Sequence, residues 1–125
     1  MVEAEMKIFI VDDDNDMIRL MSALLGQTGH EVSSQVAGSY ALSEISEQKP
    51  DCILIDLMMA EMDGLDFCRA VKKRPGLSNA KCIFVSGRED AIWKERAMEA
   101  GAVGYITKPI DVAGFSAEVE RLVGA

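Results

Sequence analysis

The sequence predicts a doubly wound α/β domain, a five-stranded parallel sheet in the order 2-1-3-4-5 with five helices shared between its two faces. Three observations predict it. Short, continuous apolar runs recur along the chain, as strands buried on both faces of a parallel sheet do. Segments of helical spacing alternate with them, the pattern of βαβ units. Four of the runs stop at polar side chains, which places those residues along the carboxyl edge of the sheet, where open α/β sheets hold their sites.

The first strand is Ile8-Phe9-Ile10-Val11, running into Asp12 and Asp13. Asp14 is a good N-cap, and Met17, Leu20, Met21, Leu24 and Leu25 fall at i, i+3, i+4, i+7 and i+8 before Gly26 and Gly29 end the first helix. The more polar run from Glu31 to Ala37 reads as an edge strand, and Ser39 to Gln48, with Leu42 and Ile45 inward, as the second helix. Cys52-Ile53-Leu54-Ile55 is the third strand, ending at Asp56. A third helix spans Gly64 to Lys73 and is stopped by Pro75 and Gly76. Ile83-Phe84-Val85 leads into Ser86, and a fourth helix covers Glu89 to Ala100 before Gly101. Tyr105-Ile106-Thr107 leads into Lys108, and the last helix runs from Val112 with Val112, Phe115, Val119 and Leu122 as its apolar stripe. Right-handed crossovers through this alternation most simply give a doubly wound sheet, and the order stated, with strands one and three adjacent, is in part what the family resemblance given below implies. Neighbouring strands lie about 4.8 Å apart, so Asp12, Asp13 and Asp56 are expected to converge.

Composition bounds the function. The 125 residues fit one domain, 1–125, able to bury roughly two thirds of its unfolded surface. A formal net charge of −8 repels a phosphate backbone, so direct nucleic-acid binding is not expected. Met1 to Lys7 has no apolar core of a signal peptide, and no run approaches the ~20 residues that span a bilayer. No membrane association and a cytoplasmic location are the expectation. The three cysteines lack a Cys-x-x-Cys pair or nearby histidines, so Cys52, Cys68 and Cys82 read as reduced core residues.

Three clustered carboxylates repel one another, and a hard divalent cation relieves the repulsion. Magnesium suits an all-oxygen site and keeps places for phosphoryl oxygens. Asp56 stands alone at its strand end as a nucleophile able to form an acyl phosphate, while Lys108 and Ser86 offer an ammonium and a hydroxyl to its oxygens. Singly, such an Asp is a turn former, such a Lys solvated and such a Ser loop chemistry. Their joint placement at the ends of buried strands favours the chemical reading.

With these residues in view, the chain resembles the receiver domain of two-component response regulators, a flavodoxin-like fold that includes chemotaxis regulators. The matching segments are KIFIVDDD (7–14), PDCILIDLMMAEMDG (50–64), KCIFVSG (81–87) and GAVGYITKPI (101–110). The resemblance extends from Lys7 to about Val123. It implies transfer of a phosphoryl group from a sensor histidine kinase or phosphotransfer protein to Asp56, dependent on Mg2+, in a signalling protein that catalyses only its own phosphorylation and dephosphorylation. It implies metal binding by Asp12, Asp13, Asp56 and the Met58 carbonyl, with Asp14 left to cap the first helix. Ser86 and Tyr105 match the switch pair, and Lys108-Pro109 the lysine before a commonly cis proline. Output would pass through helix four, strand five and helix five to a downstream protein or an attached output domain.

Ala60 stands where the family often carries proline, a departure expected to loosen the loop after Asp56. Trp93 reads as half-buried packing on helix four rather than a partner anchor. His30, between Gly29 and Glu31, reads as a turn residue and not a phosphocarrier. The rival functions fit less well. A phosphate-independent module would not need the intact set, a phosphohydrolase would want an acid where Met58 stands, and a flavin carrier would want phosphate-binding donors after strand one. The ending Leu122-Val123-Gly124-Ala125 is ambiguous between a single-domain regulator and a receiver cut from a longer chain, and with no linker-like stretch in it the first is the expectation.

Overall fold

The computed structural model describes residues 5–124, so the first four residues of the Met1–Lys7 stretch and the terminal Ala125 lie outside the described residues. The elements alternate strictly: β1 (Lys7–Val11), α1 (Asn15–Gln27), β2 (Glu31–Gln35), α2 (Gly38–Gln48), β3 (Cys52–Ile55), α3 (Gly64–Lys73), β4 (Lys81–Ser86), α4 (Ala91–Glu99), β5 (Gly104–Thr107) and α5 (Phe115–Gly124). All pairings are parallel and the sheet order is β2-β1-β3-β4-β5. This is the expected topology, which the alternation, the crossover rule and the family resemblance together implied.

Side chains on successive strand residues point to opposite faces, and here both faces are buried. Phe9, Val11, Ile53, Ile55 and Phe84 join Ile45, Phe67, Val71 and Ala97 in one core, beneath α2, α3 and α4. Ile8, Ile10, Leu54, Ile83 and Val85 join Met21, Leu25, Phe115 and Val119 in the other, beneath α1 and α5. Each such side chain contributes about 1.5–3 kcal/mol by leaving water, so β1, β3 and β4 are the stable base on which the sheet edge is built. The thiols of Cys52, Cys68 and Cys82 are free and buried, and burial pushes that of Cys52 up to about 12.

Helix termini follow local chemistry. Asp14 caps α1, its Oδ1 accepting from the N–H groups of Asp16 (3.0 Å) and Met17 (3.3 Å). Asp63 caps α3 through Leu65 N–H at 2.7 Å. Two apolar stripes shift from their sequence reading. Leu20 is 36% exposed, and Ile18 takes the inward place on α1 beside Met21 and Leu25. Val112 is 55% exposed because residues 111–114 form a turn, with Gly114 N–H donating to Asp111 O at 3.1 Å, and α5 begins only at Phe115. Likewise α4 begins at Ala91 rather than Glu89, leaving a longer loop after β4.

Candidate functional site

The strand register carries the site residues to one place. Val11 pairs with Ile55 and Ser86 with Thr107, so Asp12 stands beside Asp56, and Ser86 beside the strand end that leads to Lys108. Backbone bonds continue past the strand ends. Asp56 N–H donates to Val11 O (2.9 Å), Asp12 N–H to Gln35 O (3.3 Å) and Lys108 N–H to Ser86 O (2.7 Å). The side chains therefore project from backbone fixed by the sheet, the placement that keeps a site in register.

Carboxylate oxygens of Asp12, Asp13 and Asp56 lie within 4.8 Å of one another. Asp12 is 1% exposed and Asp56 8%, while Asp13 faces solvent. Lys108 Nζ lies 3.1 Å from Asp12 Oδ2 and 3.8 Å from Asp56 Oδ1. Burial pushes the Asp56 carboxyl up from 3.8 to about 6, and the charge of Asp12, with a smaller push from Asp13, works in the same direction. Lys108 and the Met58 N–H, 3.4 Å from Asp56 Oδ1, pull the other way without cancelling the rise. The cluster is thus an acidic pocket with more negative charge than its one internal ammonium balances. An all-oxygen donor set with surplus negative charge fits a hard divalent cation.

The loop between β3 and α3 forms the rim. Met58 and Asp63 bridge across it, and Ser39 at the start of α2 donates both its N–H (2.9 Å) and its Oγ–H (3.1 Å) to Glu61 Oε1. Gly64 is required where the loop turns into α3, because a Cβ there would lie 2.5 Å from Asp56 O and 2.8 Å from Leu57 O. Asp13 and residues 57–63 line an open groove of about 510 Å3, in which Met58 is 51% exposed. At Ala60, where a looser loop was expected, the backbone N–H is engaged. Its N–H donates to Asp13 Oδ2 at 3.0 Å, a bond that a proline could not make, and so this position ties the loop to the acidic cluster. No sequence pattern pointed to that bond, which joins residues 47 positions apart.

On the other flank, Ser86 is 1% exposed and its Oγ accepts from Arg88 N–H at 3.2 Å. The Tyr105 hydroxyl donates to Arg88 O at 2.7 Å, and its ring lies 6.5 Å from that of Phe84. The Lys108–Pro109 peptide bond is cis. Trp93 is partly buried against the core of α2, α3 and α4. His30 is buried, its Nδ1 accepting from Met6 N–H (3.0 Å) and its Nε2 2.7 Å from Glu120 Oε2, a structural role the turn reading did not foresee.

Comparison with known proteins agrees with this geometry. The family model for the response regulator receiver domain matches residues 8–120. The response regulator PleD of Caulobacter vibrioides is 36% identical over 119 residues, covering 93% of this chain and 26% of PleD. The signal receiver domain of a signal transduction histidine kinase from Syntrophus aciditrophicus superposes with a TM-score of 0.83 at 31% identity, covering 95% of this chain and 90% of that one. The chemotaxis response regulator CheY4 of Vibrio cholerae shares the fold, with a TM-score of 0.89 at 24% identity over 95% of this chain and 99% of that one. This chain spans between 26% and 48% of the length of curated relatives such as PleD and the Pseudomonas putida response regulator protein TodT.

Proposed function

The chain belongs to the response regulator receiver domain family of two-component systems, and from that premise we propose that it accepts a phosphoryl group on Asp56 and signals through the resulting change of shape. One observation carries this reading. Three carboxylates meet within 4.8 Å at the carboxyl edge of the sheet, with Lys108 reaching both Asp12 and Asp56.

The donor is a phosphohistidine of a sensor histidine kinase or phosphotransfer protein. An Asp56 carboxylate oxygen attacks phosphorus, the P–O bond of an acyl phosphate forms, and the P–N bond to the imidazole breaks with its electron pair left on nitrogen. The rise of Asp56 to about 6 leaves it mostly ionised near neutral pH, as a nucleophile must be. Asp12, Asp13, Asp56 and the Met58 carbonyl would hold Mg2+, whose charge offsets that developing on the transferred group. Lys108 donates to a phosphoryl oxygen from the position where it now serves Asp12, and Ser86 donates its hydroxyl to another. Water reaches the group across the rim at Met58 and Arg88, and hydrolysis returns the free carboxylate. The protein acts only on itself.

The doubly charged acyl phosphate draws Ser86 and Lys108 inward, and Tyr105 follows into the space vacated. The face of α4, β5 and α5 then presents the signal to a downstream protein or an attached output domain, with the 1–125 chain acting as one receiver unit. No described helix is long and apolar enough to cross a membrane, and a cytoplasmic place suits a kinase-fed signal.

Intact mass after incubation with acetyl phosphate and Mg2+ tests the reading. One added phosphoryl group, dependent on the metal and absent from Asp56→Asn, is the expected result. A folded protein that gains none and binds no Mg2+ is a phosphate-independent interaction module instead.

A further inference from the structure

One residue outside the reacting set touches three parts of the site flank at once. Arg88 gives its N–H to Ser86 Oγ (3.2 Å), receives the Tyr105 hydroxyl on its carbonyl (2.7 Å), and lays its guanidinium 5.6 Å from the centroid of the Trp93 ring. Arg96, on α4, approaches the same ring at 5.1 Å. Among the described residues neither arginine has a carboxylate within 4.0 Å, and the face of the Trp93 indole is the partner their guanidinium groups share. Arg88 itself is exposed on the loop between β4 and α4, while Ser86 and the Trp93 surroundings are fixed by the core.

We infer that Arg88 is a positioning residue that carries the state of the Asp56 site to α4 by way of Trp93. The inference rests on the receiver reading above. A single torsion sets where Ser86 Oγ points. If it turns to serve a phosphoryl oxygen, the 3.2 Å contact with Arg88 N–H changes, and the peptide unit it restrains is released. That same residue anchors Tyr105 through its carbonyl and Trp93 through its side chain, so movement of its backbone reaches both aromatic rings together. Arg96 moves with α4 and holds the indole to its own helix, whereas Arg88 holds it to the loop beside the site. The contrast between the two arginines is the device: one carries the signal and the other supports the ring.

Trp93 is the chain's single tryptophan, so intrinsic emission reads this position directly. The full chain is treated with acetyl phosphate and Mg2+ while intact mass gives phosphoryl occupancy and fluorescence gives the indole response in the same sample. The wild type is expected to change emission in proportion to occupancy. At equal occupancy Arg88→Ala, which keeps both backbone bonds, loses at least half of that change. Arg88→Lys retains most of it, and Arg96→Ala shifts the starting emission but keeps the response. Full response in Arg88→Ala, or equal loss in Arg96→Ala, overturns the inference. Phosphorylation of the wild type without any emission change also overturns it while leaving the receiver reading intact. Absence of phosphorylation overturns both.

Discussion

The Lys108 ammonium stands 3.1 Å from Asp12 Oδ2, closer than its 3.8 Å approach to Asp56, and so serves first as counter-ion to the most buried carboxylate of the site. A lysine in that position opposes a second cation and favours an incoming phosphoryl group. Lys108→Ala is therefore expected to bind Mg2+ several-fold more tightly, since it removes a like charge from beside the metal. The same variant loses a donor to the transferring group and should accept phosphate roughly 100-fold more slowly. Calorimetric Mg2+ titration and a time course of intact mass measure the two effects. Their opposite signs separate this account from simple loss of folding, and weaker Mg2+ binding by a folded variant contradicts it.

The raised Asp56 carboxyl makes stability depend on pH in a stated direction. Its folded value of about 6 lies above the ordinary 3.8, so the folded protein holds this proton where the unfolded chain has released it. The favourable contribution is complete below about 4 and is lost as pH rises through 6. At ~1.4 kcal/mol per unit the rise corresponds to at most about 3 kcal/mol. Other carboxylates titrate in the same range, so the informative quantity is the difference between Asp56→Asn and wild type in urea unfolding without metal. That difference should widen in favour of the variant between pH 4.5 and 7.5, and saturating Mg2+ should shrink it at pH 7.5. A flat difference would show that the carboxyl is not strained.

The bond from Ala60 N–H to Asp13 Oδ2 predicts that this position tunes the proposed Mg2+ site from outside it. Ala60→Pro removes the donor and leaves the solvent-facing Asp13 to pay the ordering cost itself on binding a cation. Mg2+ affinity should fall several-fold with little loss of global stability, because an exposed hydrogen bond contributes only about 1 kcal/mol. Ala60→Gly keeps the N–H and is expected to keep most of the affinity. Titration of both variants decides the matter: equal affinities for Pro and Gly would remove the bond from the account.

How much of this was legible in the sequence follows from the range of each interaction. The strands β1, β3 and β4 announce themselves because every residue from Ile8 to Val11, Cys52 to Ile55 and Cys82 to Val85 is buried, and continuous apolar runs admit few other readings. The convergence of Asp12, Asp13 and Asp56 then follows from topology. Leu20 and Val112 misled because apolar periodicity marks a stripe without fixing its rotation or its first turn. On α1 the inward place goes to Ile18, and a turn at 111–114 strips α5 of its expected start. The bonds of Ala60 and His30 were invisible, since they join residues 47 and 90 positions apart with no periodic signature.

The His30 pairing yields a stability prediction of its own. With Nδ1 accepting from Met6 N–H, the ring carries its proton on Nε2 and donates to Glu120 Oε2, tying the turn before β2 to α5. His30→Ala strands the Met6 donor and empties a buried site, and should cost about 1–3 kcal/mol or more in urea unfolding. Glu120→Gln leaves an acceptor in place and should cost less than about 1 kcal/mol. Hydrogen exchange adds a spatial check, because α5 amides near Glu120 should exchange faster in His30→Ala than those of α3, which packs on the opposite face of the sheet. Uniformly faster exchange throughout the chain would mean that His30 contributes only to global stability and does not pin α5.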